Sequence, residues 1–336
     1  MSRPSIDPDL APSVAPAEPV ATLAYDIHGV RFSFLLDHPV VEYRIDSVLC
    51  HFRTHGHPGA AAVQVRIWSG ATAAGFERWL EGGGWDLVAT DSVRGCRLYQ
   101  RPGAILADFG HLGGFAYDVA RGRVEAQLLD IDSMLSRGRD RPGILNLILS
   151  EVLKRAGMYA IHAACVARDG LGLVLPGPSE SGKTTSCIAL LRGGFQYLGD
   201  DCVLLREGTD GGRLLCFPRR SRTRPRTVAF FPEIEDDRDT PSEVYAAPVI
   251  PEARPRFLVF PCIEDVAESR LDRMSRAEAL RDLLPNTLVV HDPRLARAHF
   301  DALAAMVRRM DCYRLRFGRD VLSLPERIGR LFATAD

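Results

Sequence analysis

At 336 residues the chain exceeds what a single hydrophobic core usually organises, so two domains are expected. Its formal charge of −1 removes any whole-molecule attraction to nucleic acid or an anionic membrane surface, and no run reaches the ~18 consecutive apolar residues of a membrane span. Eight singly scattered cysteines with no C-x-x-C pair offer no cysteine-built metal motif and point to a reducing cytoplasm; Cys165, Cys202 and Cys262, set in apolar runs, are expected to be small buried hydrophobes.

Residues 1–20 are rich in Pro, Ala and Ser, hold few large apolar groups and lack the apolar core of a signal peptide, so they read as a disordered tail. Residues 21–135 read as a smaller, mostly-β N-terminal domain. From Tyr25 onward the strand-like runs are VVEYRIDSVLCHF (40–52), AAVQVRIW, WDLVAT, CRLYQ, AILADF, FAYDVA and VEAQLLD; GFERWLEGG around Trp79 reads as a short helix. His51, His55 and His57 form an H-x₃-H-x-H cluster that suits a metal or solvated loop histidines, with no acidic or Cys partner nearby. A polar, Pro/Gly-containing connector follows at residues 136–143.

Residues 142–336 alternate helices and strands, the pattern of an α/β unit. Ile144, Leu147, Ile148, Val152 and Leu153 recur at helical spacing, predicting a helix over 144–156 capped by Gly157. Later elements are a strand at 257–263, helices at 276–284 and 293–310, a strand at 312–317 and a last helix at 324–333.

Within this unit an apolar run, 171–176, leads into GPSESGKT (177–184) and a helical stretch that stops at Gly193-Gly194. Strand, G-x-x-x-x-G-K-[ST], helix is the context in which backbone N–H groups and a helix N-terminus cradle phosphates. The loop residues Gly177, Pro178, Ser179, Glu180, Ser181, Gly182, Lys183, Thr184 and Thr185 are therefore candidate ATP or GTP contacts, with Lys183 on the β- and γ-phosphates and the Thr184 hydroxyl on Mg²⁺. Upstream, Asp169-Gly170 between apolar runs predicts a two-residue hairpin pairing Arg168 with Leu171, Cys165 with Val174 and His162 with Gly177, which gives the loop's strand an antiparallel neighbour. His162 then sits at the loop's mouth, as a core histidine or a functional one.

Seventeen residues after Lys183 stands Asp200, within FQYLGDDCVLL (195–205), which reads as a strand broken at Gly199-Asp200-Asp201. Alternating strand faces would separate two consecutive carboxylates, whereas a break lets both reach a cleft. A solvated turn is the bland alternative. Phosphoryl transfer calls for carboxylates at the metal and at the acceptor hydroxyl, and Asp200 and Asp201 can supply both.

His162, the hairpin, GPSESGKT, the helix ending in Gly-Gly and YLGDDCVLL together resemble the catalytic domain of bacterial HPr serine kinase/phosphorylase, over roughly residues 159–205. The whole layout looks more like the HPr-kinase-related paralogues, some of which phosphorylate a serine on a peptide, on a fold shared with ATP-dependent phosphoenolpyruvate carboxykinase. The resemblance implies a mixed-sheet α/β kinase domain using ATP or GTP with Mg²⁺, and a small protein or peptide acceptor bearing Ser or Thr. It implies Lys183 and Thr184 on nucleotide and Mg²⁺, Asp200 on the metal side, Asp201 as base or orienter for the acceptor hydroxyl, and His162 beside the reacting phosphate. Glu180 and Thr185 depart from the family's usual Gly and Glu, and no Glu-x-Arg-Gly segment for the reverse, phosphorolytic reaction is found. A carboxykinase-like enzyme and a nucleotide-dependent regulator without transfer are the alternative readings, and homo-oligomerisation is compatible with the chain.

Arg219, Arg220, Arg222, Arg224 and Arg226 crowd PRRSRTRPR (218–226), ahead of an acidic stretch with which they can pair. Alternatively, Arg222 and Arg224, on one face of an extended segment, are expected to meet the γ-phosphate or an acidic acceptor.

Overall fold

A computed structural model of the chain describes residues 19–54, 63–70, 79, 83–91, 95–129, 131, 143–208, 212–219, 225–234, 241–264, 266–287 and 292–334. Most of the expected tail and connector, the helix around Trp79 apart from Trp79 and Gly83, His55 and His57 lie outside the described residues, as do Arg220, Arg222 and Arg224. The chain divides into two compact units, residues 1–152 and 153–336. Among the described residues no helix is long and apolar enough to cross a membrane.

The first unit is built on one mixed sheet. Its strands are β1 (Ala21–Ile27), β2 (Val30–Leu36), β3 (Val63–Ser69), β4 (Asp86–Asp91), β5 (Cys96–Arg101), β6 (Ala104–Asp108), β7 (Gly113–Asp118) and β8 (Arg123–Leu128), in the order β1-β2-β3-β8-β7-β6-β5-β4. The expected strand at 40–52 is instead helix α1 (Pro39–Leu49) with a 3₁₀ turn at Cys50–Phe52. Pro39 fits the first helical turn, the His38 imidazole accepts from the Val40 N–H at 3.2 Å, and Val41, Ile45 and Leu49 recur every fourth residue as one buried face. That periodicity outweighs the β-branched start of the run. His51 therefore sits on the 3₁₀ turn, its ring against Phe52, and burial followed by the charge of His28 holds its pKa below the ordinary value.

Helix α2 (Ile144–Leu153) spans the boundary between the units and closes through a 3₁₀ turn on Gly157, whose φ of 71° is the left-handed cap expected. The second unit holds β9 (Met158–Ile161), β10 (Ala163–Arg168), β11 (Leu171–Pro176), α3 (Lys183–Arg192), β12 (Gln196–Gly199), β13 (Val203–Arg206) and β14 (Arg213–Leu215). After these come α4 (Pro225–Val228), α5 (Pro241–Val244), β15 (Glu252–Ile263), β16 (Arg270–Arg273), α6 (Arg276–Leu283), α7 (Pro293–Arg309), β17 (Asp311–Phe317) and α8 (Leu324–Ala333). The nine strands form one mixed sheet, in which β11, β15 and β17 run parallel and the remaining pairings are antiparallel. Among the described residues the first unit is mostly strand, and the second is mixed α/β.

Apolar α3 side chains Cys187, Ile188, Leu190 and Leu191 pack with Phe257 and Val259 of β15 and Ile328 and Phe332 of α8 in one core. Each fully buried Leu, Ile or Phe there stabilises the fold by roughly 1.5–3 kcal/mol. Cys165 is buried as expected, but Cys202 is only partly buried and Cys262 is exposed, because β15 outruns its cover at Cys262 and Ile263.

Candidate active site

The Asp169-Gly170 turn takes positive φ at both positions, 53° and 74°, and pairs β10 with β11 in the expected register. The ladder closes at Ala163 and Pro176, one step before His162, because the His162 N–H turns away to the Asn286 carbonyl at 2.7 Å.

Buried β11 delivers the phosphate-loop motif to the carboxyl ends of the parallel strands, where open α/β sheets present ligand crevices. Gly182 caps α3 at φ 103°, and a Cβ there would press at 3.4 Å on Ile263 and Phe317, the last residues of β15 and β17. The loop therefore rests on those two strand ends. Pro178, Ser179 and Glu180 are exposed, while Ser181, Gly182 and Lys183 are buried. Lys183 Nζ donates to the carbonyls of Gly177 (2.7 Å) and Pro178 (2.9 Å), spanning its own loop. Thr185 turns its hydroxyl to Thr227 of α4 at 3.0 Å and does not join the carboxylates.

Two breaks build the rest of the site. Strands β9 and β10 are separated by His162, and β12 and β13 by Asp200-Asp201-Cys202. The four segments pair antiparallel, Cys165 with Gly199 on one side of the gap and Ile161 with Val203 on the other. One ladder is thus interrupted in both strands at the same level, and His162 faces the aspartates across the interruption. Glycine is required at 199 because a Cβ there would overlap the Cys202 carbonyl oxygen.

The two aspartates have different partners. Asp200 is buried, and its Oδ2 accepts from the Thr184 hydroxyl at 3.1 Å. This hydroxyl and carboxylate are hard oxygen donors at the foot of the loop, a set that fits Mg²⁺, which takes one or two carboxylates and leaves its other positions to phosphate and water. Asp201 is exposed. His162 Nδ1 lies 3.0 Å from its carbonyl and 3.2 Å from its Oδ1; both are acceptors, so Nδ1 carries the hydrogen. Arg219 Nη1 stands 3.9 Å from the other oxygen, Oδ2, with its guanidinium 4.7 Å over the Phe217 ring. Desolvation pushes the Asp201 carboxyl up, but the hydrogen bond and charge of His162, then the charges of Arg219 and Lys183, outweigh it and hold the group below the ordinary carboxylate value. Burial pushes the nearby Cys202 thiol up to about 11 and raises Cys187 well above its usual value, so both stay protonated at neutral pH.

Among the described residues of the arginine run, Arg219 is brought to Asp201; Arg222 and Arg224, singled out from sequence, lie outside the described residues. The signal for Arg219 was Phe217, an aromatic two residues earlier at the end of an apolar strand, which supplies the platform that holds the guanidinium. Farther along the run, residues 225–228 are helical, so Arg226 is not on an extended segment.

No protein-family model matches the chain, and no curated protein does. Among solved structures it is similar to the Hpr(Ser) kinase/phosphatase from Coxiella burnetii, at 14% identity over 52% of this chain and 99% of that one, with a TM-score of 0.28. A likeness that weak identifies neither fold nor activity.

Proposed function

We propose that the chain is an ATP- or GTP-dependent kinase that phosphorylates a serine or threonine on a small protein or peptide. The observation that carries this reading is the division of labour between adjacent carboxylates, Asp200 on the Thr184 hydroxyl of the phosphate loop and Asp201 facing the cleft between His162 and Arg219. The loop backbone and Lys183 would hold the phosphates, and Thr184 with Asp200 would hold Mg²⁺. When bound, the metal nucleotide supplies the phosphoryl group and the cation that screens its charge.

Asp201, ionised at neutral pH, would accept the hydrogen bond of the acceptor hydroxyl and take its proton as that oxygen bonds to the γ-phosphorus and the bridging oxygen leaves with the nucleoside diphosphate. His162 fixes the rotamer of the Asp201 carboxylate through Oδ1. Arg219 adds positive charge at the point where negative charge gathers during transfer.

The test incubates purified protein with γ-labelled ATP, Mg²⁺ and a panel of Ser- and Thr-bearing peptides. Label appearing on a peptide, with ADP released only when that peptide is present, is the expected result. Lys183→Ala should weaken metal-nucleotide binding at least about 100-fold in calorimetric titration, since it removes the ammonium that meets the β- and γ-phosphates. Unchanged affinity in that variant sinks the phosphate-loop assignment, and nucleotide binding without label on any acceptor favours a regulator that transfers nothing.

A further inference from the structure

Glu180 occupies the middle of the phosphate loop with φ +70°, a left-handed conformation natural to glycine and sterically costly for a residue with a Cβ. The other non-glycine residues with positive φ among the described residues are His28, Asp169 and Ala246. His and Asp tolerate this region comparatively well, whereas a glutamate in it is uncommon. Backbone strain retained in a binding loop points toward a role for the side chain that causes it. That side chain is a carboxylate on the exposed rim of a loop otherwise assembled to attract anions, whose buried Lys183 ammonium already bonds two of the loop's carbonyls.

The Coulomb energy between Glu180 and a ligand in the loop scales with the ligand's charge. Free ATP carries about four negative charges and its Mg²⁺ complex about two, so the carboxylate opposes the free form about twice as strongly. We propose that Glu180 is a specificity-determining residue: it makes the loop discriminate against metal-free nucleotide and admit the triphosphate as its divalent-cation complex. This rests on the nucleotide-binding reading above. It also accounts for the departure from glycine, which would bind either form more tightly and separate them less.

The experiment titrates the full chain with ATP plus Mg²⁺ and with ATP plus EDTA, comparing wild type, Glu180→Gln and Glu180→Gly. Glu180→Gln keeps the side-chain length and the left-handed backbone while removing the charge; Glu180→Gly removes both charge and strain. Glu180→Gln should tighten the Mg²⁺ complex about three- to tenfold and metal-free ATP by roughly the square of that factor, with both gains shrinking at about 0.5 M salt. Binding by Glu180→Gln equal to wild type for both ligands overturns the proposal, as does a gain that is the same for both. Tightening in Glu180→Gly alone assigns the effect to backbone strain and overturns it too. Wild type and both variants binding neither ligand overturns the nucleotide-binding reading itself, a different and recognisable failure.

Discussion

Asp201 has one oxygen beside an imidazole and the other facing a guanidinium, and His162 first, then Arg219, hold its charge. If it is the group that accepts the hydroxyl proton, Asp201→Asn should lower phosphoryl transfer by a factor on the order of 10² to 10⁴ while nucleotide affinity holds, since the neighbouring Asp200 and Lys183 are untouched. The same geometry fixes the direction of the pH dependence. The carboxyl is held below the ordinary value, so the acid limb of kcat/KM should lie lower than an isolated aspartate would place it. Removing one of the charges that hold it there, in Arg219→Ala, should move that limb to higher pH. A limb that stays in place while the rate falls would make Arg219 a contact for the phosphate or acceptor and not a partner of Asp201.

Helix α7 meets β9 through a flat stack of His299 on Tyr159, ring centroids 4.7 Å apart and planes 7° from parallel. His299 is buried, and desolvation, followed by the charge of Lys154, lowers its pKa to about 4. An unfolded histidine titrates near 6.5, so between pH ~6.5 and ~4 the unfolded chain binds a proton that the folded one refuses. Stability should be independent of this group above pH ~6.5 and fall as the pH drops toward 4, by on the order of 3 kcal/mol. His299→Phe keeps the stack and should flatten that part of the profile in urea unfolding; an unchanged slope would assign the acid sensitivity to other groups. Legibility in the sequence followed the physics of each element. Helices α7 and α8 carry Pro within the first turn and regular apolar spacing, and the loop, the hairpin and the broken Asp-Asp strand each rest on local turn chemistry. Helix α1 was hidden by its β-branched start, and β16, four largely exposed residues paired to β17 alone, lacks the apolar alternation of a strand. Arg219 was not singled out, because its contact with Asp201 depends on the placement of Phe217, which strand pairing decides and local spacing does not; Arg222 and Arg224 lie outside the described residues.

The two sheets share no strand, and the chain divides into two compact units. Calorimetry should therefore resolve two unfolding transitions, with metal nucleotide at about 100 times its Kd raising the second unit's by roughly 2.7 kcal/mol of added stability and leaving the other in place. One transition that moves as a whole would mean that the units melt together. Within the second unit, the interruption shared by β9–β10 and β12–β13 has a consequence for how such a protein can change. The ladder resumes beyond the gap between the same two stretches of chain, so His162 and residues 200–202 are held at both ends by strand pairs that do not depend on their identity. Such a gap acts as a socket. Side chains within it can be exchanged, and the chemistry with them, while the frame that aims them stays fixed, so descendants of this chain could acquire a new acceptor without having to invent a new fold.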